Sequence, residues 1–312
     1  MYRSVNLAHF LQPHKIHFLL EDYGGAKKVL LENGYKKIRI LKKSIDMNSD
    51  INETINYINN KKINVLIIDL YGVKLKYLKE VGKFAKIVVI SDLWNVEYTA
   101  DLVVNGFIGF RNKIIKNRYG ARCLLGPNYQ ILNKGFIGKN ASKKEYQLIV
   151  TFGGFDDNNI AEVLLKVLTK YLKKIKTKII LGPSTTESCN IKSLKKKYRS
   201  RLQIIQKTCD MYKEISRAEY GICSGGITSY EFAAVGIPFG IISQVKHQLT
   251  TAREWQRRGI ALNLGLVNNE IQVKINRFLK NIAENKMHGK INTKEIIDGR
   301  GGERVAKEIL EL

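Results

Sequence analysis

An α/β fold built from two doubly wound domains is predicted by three features of this 312-residue chain. Short apolar runs alternate with helical patterns along its whole length. The alternation falls into two blocks of similar size, parted by a polar, lysine-rich stretch. In the second block, glycine pairs follow directly on two of the apolar runs.

In the first block, "KIHFLL" (15–20), "KKIRIL" (36–41), "NVLIIDL" (64–70), "KIVVISD" (86–92) and "DLVVNG" (101–106) read as strands. Most are continuous apolar runs, the pattern of parallel strands covered on both faces. Helical patterns lie between them, such as "GAKKVLLENG" (25–34), whose closing glycine stands where a helix stops. The residues before the first run read as an amphipathic helix. "LLGPNYQIL" (124–132) is a turn fixed by Gly126-Pro127. The stretch "NKGFIGKNASKKEYQ" (133–147) then separates the blocks. The second block supplies strands at "LIVTFGG" (148–154), "KIILGPS" (178–184), "LQIIQ" (202–206), "YGICSGG" (220–226) and "FGIISQ" (239–244), with helices at 159–174 and 211–218. Repeated βα units in two blocks predict domains at 1–145 and 146–312, with ligands held outside the carboxyl ends of the strands in a cleft.

The chain carries a formal net charge of +25, spread over both blocks and supplied mostly by lysine. Such a field attracts anionic partners. No recognition motif points to nucleic acid. Contact with an acidic membrane surface is compatible with the charge, but no motif supports it. No apolar run reaches the ~18 residues needed to span a bilayer, and the start lacks a signal-peptide pattern, so a cytoplasmic location is expected. Cys123, Cys189, Cys209 and Cys223 form no CxxC pair, and the five histidines show no metal-ligand spacing.

The densest candidate site is "CSGGITSYEFAAVGIPFGII" (223–242). It reads as strand, glycine turn and helix. A helix N-terminus presents unpaired N–H groups and partial positive charge, and glycine lets an anion approach the backbone. Ser224, Thr228 and Ser229 add hydroxyls. Glu231 would repel a phosphate but sits further into the helix, where ribose hydroxyls are natural donors to it. The plainer alternative is a tight strand–helix turn at Gly225 and Gly226 with Glu231 on a solvated face. Gly153 and Gly154 in "TFGGFDDNN" (151–159) end another strand and are open to the same two readings, anion contact or a helix capped by Asp156 or Asp157. His247 and Gln248 follow the strand end at 239–244, and Asp69 and Tyr71 close the strand at 64–70; both pairs are placed to line a ligand, although an isolated His247 also fits a surface position.

Taken in order, "IIDLYGV", "ADLVVNG", "LLGPNYQILNKGF", "LIVTFGGFDDNN", the 223–242 segment, "HQLTTAREWQRRG" and "DGRGGERVAKEI" resemble the UDP-sugar hydrolases of pseudaminic acid biosynthesis and related spore-coat polysaccharide proteins. More distantly, the set is similar to the N-acetylglucosaminyl transferase that completes lipid II. The resemblance implies the GT-B architecture, two Rossmann-like domains facing a cleft with the nucleotide held mainly by the second. It implies that Ser224, Gly225, Gly226, Ile227 and Thr228 line the diphosphate, and that Glu231 binds the ribose. Gly153 and Gly154 would edge the cleft, and Gln248 would lie near the phosphates or sugar. Tyr71 matches a tyrosine that faces the sugar; with His247 it is a candidate for the catalytic step. His247 stands where asparagine is frequent, and Asn133 where arginine is.

Members of that family open with a strand and a glycine-rich turn ending in Gly-His, followed by "MRCLxLAxxL". "MYRSVNLAHFL" matches the last piece, so the resemblance places the first strand and the family histidine ahead of Met1. His9 lies two turns, or ~12 Å, further along the helix and does not substitute for it. Loss of a central strand would leave its neighbours with unpaired edges. The implied activity is release of UDP from a UDP-2,4-diacetamido-2,4,6-trideoxyhexose by water attack at C1, without metal or cofactor, the partner being the UDP-linked amino sugar. The alternatives are a glycosyltransferase using the same donor site, and an inactive UDP-sugar-binding homologue.

Overall fold

The computed structural model describes residues 1–312 apart from 22–24, 71, 139–141, 155–158, 183–187, 209, 269, 288–292 and 294. Two compact units emerge: Met1–Lys134 with Gly299–Leu312, and Gly135–Asp298.

The first unit contains α1 (Tyr2–Phe10), β1 (Phe18–Glu21), α2 (Ala26–Glu32), β2 (Ile38–Leu41), α3 (Met47–Lys61), β3 (Val65–Ile68) and α4 (Leu75–Val81). It continues through β4 (Lys86–Ile90), β5 (Leu102–Asn105), β6 (Lys113–Lys116) and β7 (Arg122–Leu125). The second unit contains β8 (Tyr146–Thr151), α5 (Ile160–Leu168), β9 (Thr177–Ile180), α6 (Cys189–Lys197), β10 (Leu202–Ile205), α7 (Met211–Ser216) and β11 (Ala218–Ser224). There follow α8 (Ile227–Val235), β12 (Phe239–Ser243), α9 (Lys246–Arg257), β13 (Ala261–Leu266) and α10 (Ile271–Ala283), before α11 (Gly301–Leu310) returns to the first unit.

Every strand expected from the apolar runs is present. The hairpin β6–β7 and strand β13 had no such signal: β6 is exposed throughout, and β13 (ALNLGL) is interrupted by Asn263 and Gly265. Helix α5 stops at Leu168, short of the anticipated end at 174, and the chain continues in tighter turns, with Tyr171 N–H donating to Leu168 O and Lys174 N–H to Tyr171 O. Helix α3 shows why its sequence coils: the Asp46 carboxylate accepts from the amides of Asn48 and Ser49, and Ile51, Thr54 and Ile58 fall on one buried face.

In the second unit six parallel strands run in the order β10-β9-β8-β11-β12-β13. From β8 the chain winds outward to β9 and β10, then returns to β11 and winds the other way. The order reverses between β8 and β11, and at such a switch point the connections diverge and leave a crevice at the carboxyl ends. The core beneath is apolar, built from Leu148 and Val150 of β8, Ile222 of β11, and the inner faces of α5 and α10.

The first unit is divided. Strands β3-β4-β5-β7-β6 form one sheet, and β1 pairs only with β2. Strands β1 and β3 lie in different sheets, so among the described residues each leaves one edge without a strand partner. Helix α1 packs on both pieces: Leu7 and Leu11 join Val88, Leu102 and Leu124, while Val5 and Ala8 join Leu30 and Tyr35. The sequence-based division at 145/146 leaves the last helix with the second block. In the structure Val305, Ala306 and Ile309 of α11 complete the apolar cluster around β4, β5 and β7. The two glycines of "DGRGGERVAKEI" explain the fit. A Cβ on Gly301 would collide with the Gln130 carbonyl, and one on Gly302 with the Phe10 ring.

Candidate functional site

The switch point of the second sheet gathers the glycine motifs. Strand β11 ends at Ser224, and Gly226 occupies the cap position of α8 in an extended conformation (φ −90°, ψ −154°). No side chain caps this helix, so its first amides have no internal acceptor of the kind Asp46 provides to α3. The two glycines differ in role. A Cβ on Gly225 would lie 2.7 Å from the Gln248 carbonyl oxygen, so glycine there lets the first turn of α9 close over the loop. A Cβ on Gly226 would meet only the Ser224 Oγ, at 4.0 Å, and the space above it is open.

Hydrogen bonds fix this loop to its neighbours. Ser224 Oγ donates to the Phe152 carbonyl at 3.1 Å, and Gln244 Nε2 donates to the same oxygen at 3.0 Å. The Gln244 amide in turn donates to Gln248 Oε1 at 2.9 Å. Gly153 takes a left-handed conformation (φ 81°), and its Cβ position lies 3.6 Å from Thr228 Oγ1. The carboxyl ends of β8, β11 and β12 and the starts of α8 and α9 are thus one assembly. It brings together Gly153, Ser224, Gly225, Gly226, Thr228 and Gln248, with Gly154 and Ile227 adjacent in the chain. Gln244, which the sequence reading passed over, ties three of these elements; a polar residue directly after an apolar strand was the available signal.

Glu231 lies one turn inside α8. It is partly buried and has no hydrogen bond or ion pair among the described residues. Burial pushes its carboxyl up to about 7. Neighbouring Cys223 is pushed well above the usual thiol range by its own burial and by the Glu231 charge. An unpaired carboxylate held partly out of water costs stability unless a donor arrives. Glu231 is half-buried rather than on a fully solvated face. His247 is exposed on the first turn of α9, and among the described residues no hydrogen bond ties it to the glycine assembly. Tyr71 lies outside the described residues.

In the first unit the carboxyl edge is occupied from within. Arg3, in the first turn of α1, bonds the Asp69 carboxylate and also Asp92, at 2.7 Å, and Ser4 Oγ donates to Asp69 at 2.9 Å. Burial would raise the Asp69 carboxyl, but Arg3 and Ser4 outweigh it and hold it below the ordinary carboxylate range. Burial likewise opposes the Arg3 charge, and the two aspartates raise its pKa above the ordinary value. Asp69, read as a ligand-facing group, is committed to this ion pair.

No protein-family model matches the chain. Its sequence is 30% identical over 224 residues to the spore coat polysaccharide biosynthesis protein SpsG of Bacillus subtilis, covering 67% of this chain and 64% of that protein. The chain is SpsG-like. It is also 27% identical over 262 residues to the uncharacterized protein MJ1062 of Methanocaldococcus jannaschii, covering 78% of this chain and 52% of the relative. It therefore spans less than two thirds of the length of both relatives. Among solved structures, Acinetobacter baumannii MurG superposes with a TM-score of 0.67 at 13% identity, covering 100% of this chain and 96% of that one. The UDP co-structure of S. aureus MnaA gives 0.62 at 13% identity, covering 99% and 92%. These likenesses show the fold, which is GT-B with two Rossmann-like domains. Among the described residues no helix is long and apolar enough to cross a membrane, and no group of three or more His, Cys, Asp or Glu is placed to hold a metal.

Proposed function

We propose that this chain is a UDP-sugar-processing enzyme, and that its reaction is hydrolysis of a UDP-linked diacetamido-trideoxyhexose at C1. The observation carrying the reading is the uncapped start of α8, bare of side chains at Gly226, with the unpaired carboxylate of Glu231 one turn further in. A diphosphate set against the amides of Gly226, Ile227 and Thr228 supplies the missing acceptors, with Gly153 and Gly154 alongside. A ribose placed toward Glu231 supplies the hydroxyl donors that a buried carboxylate lacks. The name of SpsG, a spore-coat polysaccharide biosynthesis protein, and the UDP held by MnaA are consistent with a nucleotide-sugar substrate.

In this reaction the oxygen of water forms a bond to C1 as the bond from C1 to the β-phosphate oxygen breaks. The water gives up a proton, and the electron pair of the broken bond leaves with UDP. Amides aimed at the departing diphosphate are worth more as its charge grows, which lowers the barrier to departure. Tyr71 and His247 are the candidates for orienting or deprotonating the water. An acceptor hydroxyl in place of water turns the same site into a transferase, and the fold is one that the spinosyn rhamnosyltransferase SpnG also has.

Calorimetry with UDP tests the site. Binding is expected for the wild-type chain, with a loss of about 100-fold in Gly226→Asp, whose carboxylate would occupy the phosphate position. Equal affinity in both chains overturns the reading. UDP release from the amino-sugar nucleotide, with and without acceptor alcohols, then separates hydrolysis from transfer. His247→Ala and Tyr71→Phe should lower kcat with UDP affinity unchanged.

A further inference from the structure

At the opposite end of the second sheet, the amino ends of β8, β9 and β10 surround a cavity of about 370 Å³. Among the described residues four cationic side chains line it, Lys176, Lys195, Arg199 and Arg201, and no acid does. Tyr146 also lines it, its hydroxyl donating to Gln203 Oε1 at 2.6 Å; the Lys176 Nζ stands 5.2 Å from the ring centroid. The cavity lies the length of a strand, about 15–20 Å, from the glycine assembly.

The carboxylates nearby are already committed. Glu145 is paired with Arg217, and Glu214 with the buried Lys178. Part of the basic run 195–201 has an ordinary explanation, since Lys195, Lys196 and Lys197 close the last turn of α6, where cations complement the helix dipole. Arg199 and Arg201 lie beyond that helix and form no ion pair among the described residues. Two guanidinium groups without a carboxylate partner at one concavity repel one another until a counter-charge enters. Guanidinium groups present planar, paired N–H donors that match phosphate oxygens.

The geometry points to a second anion site here, for a phosphate-bearing group of two or more charges, separate from the α8 site. Two sources share that chemistry, a free phosphorylated small molecule and the headgroup of an anionic phospholipid. Lys176 and Lys195 supply charge from the partly buried side, Arg199 and Arg201 supply the directed donors, and the amide nitrogen of Gln203 remains a further donor.

The experiment uses inorganic pyrophosphate as probe and the Gly226→Asp chain as background, which removes the α8 site from the measurement. That chain is expected to bind pyrophosphate, and adding Arg199→Ala and Arg201→Ala is expected to weaken binding by about tenfold or more, with a steep dependence on salt. Both changes are at exposed side chains, and thermal melts of the two chains check that the fold is kept. In parallel, wild type and Arg199→Ala/Arg201→Ala are sedimented with phosphatidylcholine vesicles containing or lacking phosphatidylglycerol. Co-sedimentation with the anionic vesicles, lost in the double variant, assigns the headgroup. Pyrophosphate binding lost in the variant without vesicle binding assigns a free phosphorylated ligand. No pyrophosphate or vesicle binding, or binding indifferent to the arginines, overturns the site.

Discussion

The two units meet the same problem, polar groups gathered at the carboxyl ends of parallel strands, with opposite solutions. In the first, Asp69 and Asp92 converge at the ends of β3 and β4, and the chain answers them itself with Arg3 and Ser4 from α1. In the second, the start of α8 and the Glu231 carboxylate converge, and nothing in the described chain answers them. One edge is satisfied and structural. The other is unsatisfied, and an unsatisfied edge is where a ligand adds stability. The sheets differ in the same sense: the second is continuous through six strands, whereas the first is divided and held by α1 packing on both pieces.

The largest effect should come from removing the answer in the first unit. Arg3→Met leaves Asp69, mostly withdrawn from water, with Ser4 as its remaining side-chain hydrogen-bond donor. Breaking a buried pair by deleting one partner typically costs about 3–5 kcal/mol. Urea unfolding at pH 7 should show a loss of that order. The double variant Arg3→Met/Asp69→Asn should recover much of it, because no unpaired charge remains. If Arg3→Met unfolds like wild type, the claim that this edge is internally compensated fails.

Glu231 makes the reverse case in the second unit. A carboxyl raised from 4.5 to about 7 stays protonated in the folded chain after the unfolded chain has ionised. Folding stability should therefore fall as pH rises from about 4.5 to about 7 and level off above, by about 3 kcal/mol in all. Glu231→Gln removes that decline, so its advantage over wild type should appear at pH 8 and vanish near pH 4. The same substitution removes a charged acceptor from the proposed ribose contact, at a cost of about tenfold or more in UDP affinity. For wild type, UDP affinity should climb with pH up to about 7, since binding to the carboxylate must first release its proton. A variant more stable and yet weaker in binding distinguishes a ligand group from a structural one.

The sequence revealed the parts of the second unit that rest on local rules. Apolar runs gave β8, β9, β11 and β12, and the Gly225-Gly226 pair gave the start of α8, because a strand–turn–helix junction is encoded within a few residues. It concealed whatever depends on long-range meetings. Gln244 looks like any polar residue after a strand until the Phe152 carbonyl, far away in the chain, is seen to be its acceptor. Arg3 lies 66 residues from Asp69, and nothing near either residue announces the other. The distant docking of α11 was invisible for the same reason. Charge on Asp69 and on Glu231 looked alike in the sequence, and only the partners tell them apart.

The divided sheet supplies the smallest and most local contrast. Strand β3 is hydrogen-bonded on one side, to β4, and β1 on one side, to β2, whereas β8 and β11 are bonded on both. In an extended strand successive amides point to alternate edges, so half of those in Val65–Ile68 and Phe18–Glu21 face no strand. Native-state hydrogen exchange should find these amides at least about tenfold faster than those of Leu148–Thr151, a difference of about 1.4 kcal/mol in opening free energy. The alternation is the diagnostic part. Uniformly fast exchange along β3 would mean that the whole unit opens together, and uniformly slow exchange would mean that α1 alone seals both edges. Alternating protection places the weakness in the unpaired backbone itself, where the Arg3 pairing has no influence on it.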